Sequence, residues 1–424
     1  MIYNQTKYNN NWKTMKLNQL GTFARGKSKH RPRNDKKLFE GGGYPLVQTG
    51  EIKEANLYVN KHKVEYNEFG LSQSKLWDKD TLCITIAANI AETAILGYPM
   101  CFPDSIVGFN ANKEICSELF MHYIFTYIRQ AIQKSASGSI QDNINIDYLE
   151  QLDFKIPDKK IQDKICNVLY NIDIQIENNN RIIESLENIS KTIYDYWFLQ
   201  YEFPNEEEKT YKSSGGKMVY NEELKKEIPE GWDIKRISDI EKNIVTGKTP
   251  STKDEGNFGG DIPFITIDDI RQGLYISKTI RTLSEKGANL QIKKYIPKNS
   301  ICVTCIATVG LVGITTKDSQ TNQQINSIIC QNKNNLYYLV NAIKNYFEYS
   351  NGAKSGNIFD NMNKEDFSSI KLIYPTEDIL KIFNEKVEPI YRKIKSCIFE
   401  NEELAKLRDY LLPLLMNGQV GFKD

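Results

Sequence analysis

The stretch SGSIQDNIN, residues 137–145, returns 218 residues later as SGNIFDNMN, residues 355–363. The match continues beyond these nine residues at the same offset and without a gap. Aligned pairs include Ile156-Pro157 with Tyr374-Pro375, Ile172 with Ile390, and Leu186 with Leu404. The repeat predicts two copies of one unit of roughly 200 residues.

Each copy begins with a tryptophan, Trp12 or Trp232, and continues with short apolar runs rich in β-branched residues. Such runs, separated by turns, predict strands. Apolar periodicity predicts helices at 117–132 and 334–350, just before the SG stretch of each copy. The fold class expected is α+β, with two similar mixed α/β domains.

After Pro157 and Pro375 the apolar residues recur at spacings of three and four. They are 165, 169, 172, 176, 183, 186, 193 and 197 in the first copy, and 383, 387, 390, 394, 404, 411 and 415 in the second. A stripe of this period predicts two long helices that form a coiled coil with each other. An antiparallel pairing is favoured, because the connection of about 25 residues spans a whole helix only when nearly extended.

Polar residues interrupt both stripes, at Asn179, Ser190, Asn401 and Arg408. They either select one register of the helix pair or are tolerated there, and the sequence leaves both interpretations open. The predicted organisation has pseudo-twofold symmetry. Its parts are a first domain at 1–157, a spacer helix at 158–203, an exposed linker at 204–228, a second domain at 229–375 and a second spacer helix at 376–424.

The composition is that of an ordinary soluble globular protein, with 40% hydrophobic and 26% charged residues. Because the formal net charge is only +1, any binding of nucleic acid must be local. The eight cysteines lie mostly in apolar runs, which favours buried thiols in a reducing cytoplasm. No leader or convincing membrane span is apparent, so a cytoplasmic location is expected.

Motifs for catalysis are scarce. The three histidines lack metal-ligand spacing, and Cys302-x-x-Cys305 has no second cysteine pair. The TGKTPST stretch from Thr246 lacks the leading glycine of a phosphate-binding loop, and Pro250 would stop the helix that such a loop requires. We therefore predict no catalytic residue and no metal site.

Candidate binding residues concentrate in loops. Residues 25–37, RGKSKHRPRNDKK, contain seven Lys or Arg and predict a flexible cationic loop for phosphates, with a solvated surface loop as the alternative. The corresponding loop of the second copy, GKTPSTKDEGNFGG, offers hydroxyl and amide donors. TNQQIN, residues 321–326, offers carboxamides of the kind that pair with adenine, although a plain surface turn is as compatible. The candidates for DNA binding are Lys27, Ser28, Lys29, Arg31, Arg33, Asn89, Gln141, Lys248, Thr249, Ser251, Lys253, Asn322, Gln323 and Gln324.

The duplication, the motifs GKTPS, GDIPFITIDDI and TNQQIN, the SG stretch before IP, and the ending NEELAKLRDYLLPLLMNGQV together resemble the specificity subunit of a Type I restriction-modification system. The resemblance covers nearly the whole chain. It implies that each domain recognises one half of a bipartite DNA sequence and that the helices set the spacer. The first copy departs from the pattern, because GKSKHRPRNDKK replaces the GKTPS-type loop.

The resemblance also implies partners. Two modification subunits would carry S-adenosylmethionine for adenine methylation, and restriction subunits would use ATP and Mg, so this chain would have no cofactor of its own. Two other functions remain open at this point: a DNA-modifying enzyme that acts alone, and a coiled-coil scaffold with two peptide-binding heads.

Overall fold

The computed structural model describes residues 2–137, 144–352 and 361–422. Most of both SG stretches, including Gln141, lies outside the described residues. The chain divides into two compact units, and each long helix contributes to both. Unit 1 comprises residues 1–178 with 401–424, and unit 2 comprises residues 179–400.

The first copy alternates short strands with short helices and ends in one long helix. Its strands are β1 (Lys13–Lys16), β2 (Gly21–Arg25), β3 (Tyr44–Leu46), β4 (Tyr58–Val59), β5 (Val64–Tyr66), β6 (Leu76–Trp77), β7 (Leu82–Thr85), β8 (Thr93–Leu96), β9 (Met100–Cys101), β10 (Ile106–Ala111) and β11 (Asp153–Ile156). Its helices are α1 (Leu17–Leu20), α2 (Thr49–Glu54), α3 (Glu68–Ser72), α4 (Glu118–Ser137), α5 (Ile146–Glu150) and α6 (Lys159–Tyr194). A π-helical turn, Asp195–Leu199, extends α6.

The second copy repeats this succession after an added hairpin. Its strands are β12 (Met218–Asn221), β13 (Lys226–Pro229), β14 (Asp233–Arg236), β15 (Ile244–Thr246), β16 (Phe258–Ile265), β17 (Tyr275–Ile276), β18 (Arg281–Leu283), β19 (Ile301–Thr304), β20 (Val312–Thr315), β21 (Gln320–Thr321), β22 (Ile325–Ile328) and β23 (Lys371–Tyr374). Its helices are α7 (Ile237–Ile240), α8 (Ile267–Ile270), α9 (Glu285–Asn289), α10 (Asn335–Gly352), α11 (Lys364–Ser368) and α12 (Glu377–Met416).

The main sheets of the two copies have the same topology, which confirms the predicted duplication. The main sheet has the order β2-β10-β7-β8-β4 in the first copy and β15-β22-β19-β20-β17 in the second, so that every strand has a counterpart. A second sheet holds β3 between β5 and β9, as β16 lies between β18 and β21. The central strands β7 and β19 are buried at every residue, as expected for strands covered on both faces.

The main helix of each domain supplies much of the core. Phe120 and Ile124 on α4 are fully buried against the main sheet of unit 1, and Leu339 and Ile343 on α10 are fully buried in unit 2. Because these side chains lie one helical turn apart, each helix presents a continuous apolar stripe. The predicted helices at 117–132 and 334–350 are thus confirmed: each begins one residue later than the pattern indicated, and α4 ends five residues later and α10 two residues later.

The long helices pack antiparallel within each unit, as expected from the short connection. In unit 1, Leu169 near the start of α6 shares a core with Leu415 near the end of α12. In unit 2, Trp197 just after α6 contacts Phe383 near the start of α12, with ring centroids 5.7 Å apart. The apolar stripes account for this contact, since both form part of the core of their unit.

Arg408 and Ser190, which interrupt the apolar stripes, make specific hydrogen bonds inside this packing. Arg408 donates to Asp173 in unit 1 at 3.0 Å. Ser190 donates to the hydroxyl of Tyr391 in unit 2 at 2.9 Å. Both contacts join α6 to α12, which supports the interpretation that these positions select the register.

The segment interpreted as an exposed linker, 204–228, is more ordered than its composition indicated. It contains strand β12 and most of β13, which pair antiparallel. Immediately before it, Phe203 stacks on Trp232 with ring centroids 5.0 Å apart. Aromatic residues at the two borders, rather than the Gly and Ser within, decide how this segment packs.

Seven of the eight cysteines are buried and Cys330 is half-buried, and all eight are free thiols. Burial raises the pKa of Cys302 to about 12 and that of Cys305 to about 11, so neither thiol is ionised near neutral pH. Within the described ranges, no helix is long and apolar enough to cross a membrane.

Candidate nucleic-acid interface

One edge of the main sheet brings three loops together in the first copy. At this edge Gly26, which follows β2, donates its N–H to the carbonyl of Ile106 on β10 at 2.9 Å. Ile86, which follows β7, donates its N–H to the carbonyl of Ser105 at 2.9 Å. The basic loop (25–37), the β9–β10 loop (102–105) and the β7–β8 turn (86–92) therefore lie side by side.

The second copy builds the same edge from the corresponding loops. Gly247, which follows β15, donates its N–H to Ile325 O at 3.1 Å, and Cys305 donates to Gln324 O at 2.8 Å. The hydroxyl loop (247–257) therefore adjoins the TNQQIN loop (321–326). We call the edge in each copy the loop edge.

Glycine is required where the loops approach each other. A Cβ atom on Gly26 would lie 2.3 Å from the carbonyl oxygen of Pro103, and one on Gly247 would lie 2.2 Å from that of Asn322. Both distances are far below van der Waals contact. The Gly-Lys pair shared by the two copies thus marks a place where two loop backbones approach closely, and not a phosphate-binding loop.

The basic loop is tied to the domain, contrary to the expected flexible loop. Lys27 donates its N–H to Phe102 O at 3.2 Å, and Lys29 donates its N–H to Gln73 O at 3.0 Å. Ser74 donates its hydroxyl to Lys27 O at 2.9 Å. Because the backbone makes these bonds, the side chains of Lys27 and Lys29 remain exposed at the surface.

Two arginines of the basic loop are held by internal contacts. Arg33 donates to the carboxylate of Asp104 at 2.7 Å, and the guanidinium of Arg31 lies 3.8 Å from the same carboxylate. Arg31 also donates to the carbonyls of Ser28 and His30. Arg31 therefore shapes the loop, whereas Arg33 presents a half-exposed guanidinium beside an acidic partner.

Asp35, near the C-terminal end of the basic loop, is also held by hydrogen bonds. His30 Nε2 lies 2.8 Å from a carboxylate oxygen of Asp35. This hydrogen bond, with a second from the backbone N–H of Lys37, lowers the pKa of the Asp35 carboxyl. Asp35 therefore stays ionised and its charge reduces the positive potential at this end of the loop.

The hydroxyl loop of the second copy is joined directly to the predicted amide residues. Thr249 donates its hydroxyl to Gln323 Oε1 at 2.7 Å, and Lys248 donates its N–H to Thr321 O at 2.9 Å. The side chain of Lys248 is exposed, as are Ser251 and Lys253. The structure thus brings together two candidate regions that lie more than 70 residues apart in sequence.

The three carboxamides of TNQQIN differ in exposure. Asn322 is only 9% exposed, and its side-chain amide donates to Gln324 Oε1 at 2.9 Å. Its own Oδ1 accepts from the backbone N–H of Gln324 at 3.0 Å. Gln323, by contrast, is exposed. Among these three, Gln323 is the exposed amide, Gln324 is half-buried, and Asn322 shapes the turn.

The β7–β8 turn, which carries Asn89, has an unusual backbone in both copies. Ala88 and Ala307, at corresponding places, both have φ of 65°, a left-handed conformation that costs a non-glycine residue about 1–2 kcal/mol. Hydrogen bonds within the turn hold this conformation; Ala91 N–H, for example, donates to Thr85 O at 2.8 Å. Asn89 is half-buried here, at the loop edge.

A fourth segment completes the loop edge, and no pattern in the sequence indicates it. In the first copy it is Gln73-Ser74, which bonds the basic loop. In the second copy Gln291 takes the place of Ser74 and donates its side-chain amide to Lys248 O at 2.7 Å. These residues follow α3 and α9, far from the basic and hydroxyl loops in sequence, and their polarity alone does not distinguish them from other surface residues.

Comparisons with known proteins agree with this architecture. A family described as "Type I restriction modification DNA specificity domain" matches residues 9–188 and 229–398, once for each copy. The Type I restriction enzyme HindI specificity subunit of Haemophilus influenzae is 34% identical over 365 residues, covering 73% of this chain and 79% of that protein. The MjaIX specificity subunit of Methanocaldococcus jannaschii is 25% identical, and the match covers 97% of this chain and 94% of that protein.

A solved structure supports the fold. The crystal structure of the S subunit of a Type I restriction-modification system from M. genitalium matches with a TM-score of 0.57 at 16% identity, over 100% of both chains. Taken with the two family matches, this establishes that the chain belongs to the DNA specificity subunits of Type I restriction-modification systems, whose role is to recognise a DNA target.

Proposed function

We propose that each copy of the repeat reads one half of a bipartite DNA target through its loop edge. The observation that carries this proposal is that the same sheet edge bears different chemistry in the two copies. Equivalent close approaches of two loop backbones, at Gly26 and at Gly247, hold a cationic loop in one copy and a hydroxyl and amide loop in the other. A common scaffold with unlike loops fits two unlike half-sites.

The first loop edge is suited to phosphate contacts. Lys27 and Lys29 are exposed on an anchored backbone, and no side-chain partner holds either ammonium group among the described residues. A lysine on a fixed loop neutralises a phosphate with little loss of backbone entropy. Arg33 adds a guanidinium of the kind that pairs with guanine in the major groove.

The second loop edge is suited to reading adenine. Gln323 is exposed, and its Oε1 already accepts one hydrogen bond from Thr249, which fixes the orientation of the carboxamide. A carboxamide accepts from adenine N6 and donates to N7. Lys248 and Lys253, both exposed on the adjoining loop, supply cations for the flanking phosphates.

The proposal extends to the partners. Two modification subunits dock on the outer faces of α6 and α12, carry S-adenosylmethionine and methylate one adenine in each half-site. Restriction subunits bring ATP and Mg to the same complex. This chain supplies recognition and no chemistry of its own. Among the residues that the structure describes, no group of three or more His, Cys, Asp or Glu is placed to hold a metal ion.

Mapping of methylated adenines in the source genome tests the proposal. Deletion of this chain should abolish methylation at one bipartite sequence, and the wild-type chain should restore it. A complementing Gln323→Ala variant should relax the sequence at positions of one half-site only. Methylation that persists without the chain, or DNA methylated by the purified chain alone, would contradict the proposal. A chain whose assembled complex protects no DNA sequence would favour a pure interaction scaffold.

A further inference from the structure

Two large aliphatic side chains are exposed at the loop edge of the second copy. Leu290 is 64% exposed and Ile292 is 63% exposed. They flank Gln291, which is only 7% exposed. Two lysines, Lys293 and Lys294, follow directly. An isolated exposed leucine needs no explanation, but two that flank a buried polar anchor form a constructed surface feature.

Gln291 holds this segment against the hydroxyl loop. Its side-chain amide donates to Lys248 O and to Gln320 Oε1, both at 2.7 Å. Gln320 in turn donates to Ala288 O at 3.0 Å. These bonds hold Gln291 and Ala288, and Tyr295 donates its N–H to Ile292 O at 3.2 Å. The exposure of Leu290 and Ile292 therefore does not come from a loose loop.

The aliphatic pair lies close to the exposed amide of the second loop edge. Lys248, whose carbonyl accepts from Gln291, donates its N–H to Thr321 O at 2.9 Å, and the next residue, Thr249, bonds Gln323 at 2.7 Å. Only Lys248 and Thr249 of the hydroxyl loop therefore lie between Gln291 and Gln323 in this chain of hydrogen bonds. The segment that carries Leu290 and Ile292 therefore borders the surface on which a duplex would contact Gln323.

The first copy has a different surface at the corresponding place. Ser74 replaces Gln291 as the residue that bonds the adjoining loop, and Gln73 and Lys75 replace the two aliphatic residues. The apolar pair is thus a property of the second domain alone. A feature shared by a scaffold would occur in both copies, whereas a feature that reads a sequence need occur only in one.

We propose that Leu290 and Ile292 contact the 5-methyl groups of thymines in the half-site read by the second domain. This inference rests on the proposed function. In the major groove the thymine methyl lies beside the adenine edge that a glutamine reads, so one A·T pair offers both a partner for Gln323 and an apolar contact. Lys293 and Lys294 are placed for the phosphates that border the groove.

Replacement of thymine by uracil tests the proposal, because it removes the methyl group and keeps the base pairing. A pool of randomised 40-base-pair duplexes is first selected on the chain assembled with its modification subunits, which identifies the target. The target is then prepared as a set of duplexes, and in each duplex a single thymine of one or the other half-site is replaced by deoxyuridine. Affinity is measured for the wild type, for Leu290→Ser/Ile292→Ser, and for Val219→Ser, which removes a partly exposed aliphatic side chain from the β12–β13 hairpin.

We expect deoxyuridine at one or two positions of the second half-site to weaken wild-type binding about fourfold, which corresponds to ~0.8 kcal/mol for a buried methyl-sized group. The double variant should bind thymine and uracil targets equally, and Val219→Ser should behave as the wild type. Equal binding of both targets by the wild type would overturn the inference, as would a double variant that still distinguishes them. A selection that yields no bipartite sequence would count against the proposed function instead.

Discussion

Arg408 on α12 donates to Asp173 on α6 at 3.0 Å, and each of these two residues has a counterpart 218 residues away in the other copy. Asp173 corresponds to Tyr391, and Arg408 corresponds to Ser190, which donates to Tyr391. A third member lies on the main helix of each domain, where Tyr123 donates to Asp173 at 2.7 Å and Asn341 donates to Tyr391 at 2.8 Å.

Unlike chemistry at equivalent positions makes the two locks non-interchangeable. We call the Tyr123–Asp173–Arg408 group the first lock and the Asn341–Tyr391–Ser190 group the second lock. A helix pair built from two first copies would place Asp173, which is 2% exposed, opposite serine with no cation. A buried carboxylate without a cation is strongly unfavourable, so the locks favour the pairing of unlike helices.

Removal of Arg408 should therefore destabilise unit 1. Arg408→Ala leaves the buried carboxylate of Asp173 without its cation, and we expect a loss of about 3 kcal/mol in the free energy of opening. Hydrogen exchange of peptides from α4 and the first half of α6 measures this locally. Arg392→Ala, which breaks an exposed pair with Glu388 on the same helix, is the control and should change exchange by less than about 1 kcal/mol. Equal effects of the two substitutions would refute a register lock.

Loss of the Tyr391 hydroxyl should loosen unit 2. Tyr391→Phe leaves the buried Ser190 hydroxyl and the Asn341 amide without their partner, at a cost of about 1–3 kcal/mol. Adding Ser190→Ala should cost less than the sum of the two single changes, because one unsatisfied group disappears with its partner. Urea unfolding of the single and double variants checks this, and strict additivity would contradict it.

The helices and the duplicated architecture were predictable from the sequence because they depend on repeated patterns. The two apolar stripes, which contain Leu169 and Leu415 respectively, follow from spacing alone, and the offset of 218 aligns the two copies. The locks were not predictable in detail. Their members come from three helices, and Asp173 gives no sign in the sequence that its partner lies 235 residues away.

The candidate site was only partly predictable for a similar reason. The basic loop and TNQQIN are conspicuous in composition, and the structure places both at a loop edge. The residues that hold these loops, such as Asp104 and Gln291, come from segments separated in sequence from the loops that they contact. Composition also failed to show that Asn322 is buried and Gln323 exposed, because that depends on the turn between β21 and β22.

The salt dependence of DNA binding should identify the phosphate contacts of the basic loop. Replacing Lys27, Lys29, Arg31 and Arg33 together by alanine should weaken binding and reduce the slope of log K against log salt. Lys27→Ala/Lys29→Ala alone should lower the slope by up to about 2, since each phosphate contact contributes ~0.9. Arg31→Ala should instead loosen the loop, with faster hydrogen exchange there. Fluorescence anisotropy with a 40-base-pair duplex at several salt concentrations measures the slope, and an unchanged slope for the fourfold variant would exclude this assignment.

Asp104 should restrain sequence-independent binding. Its carboxylate pairs with Arg33 at 2.7 Å and lies 3.8 Å from Arg31, so Asp104→Asn leaves both guanidinium groups with less neutralisation. We expect tighter binding to a random-sequence duplex and a salt slope steeper by about 1. Asp78→Asn makes the same change in net charge near the opposite end of strand β7 and should have little effect. Equal changes in the two variants would show that only net charge matters.

His122 should make unit 1 sensitive to acid. The imidazole is buried, and its Nδ1 lies 3.0 Å from the hydroxyl of Thr93. Burial, with the nearby charges of Arg129 and Arg408, lowers the pKa of His122 from 6.5 to about 3. Because the folded-state pKa lies below the unfolded one, the stabilisation is complete above pH 6.5 and is lost as the pH falls toward 3, by about 5 kcal/mol in all.

The second copy provides the matched control for this prediction, since Val312 and Val340 occupy the places of Thr93 and His122. The Thr93→Val/His122→Val variant replaces the buried polar pair, of which only His122 titrates, by the apolar pair that the fold already accommodates. Hydrogen exchange of α4 peptides, measured between pH 7 and pH 4 after correction for the intrinsic rate, should show a stability that falls with pH in the wild type and falls less in the variant. Parallel pH profiles for the two proteins would mean that His122 does not control the acid response, because the carboxylates of unit 1 are common to both.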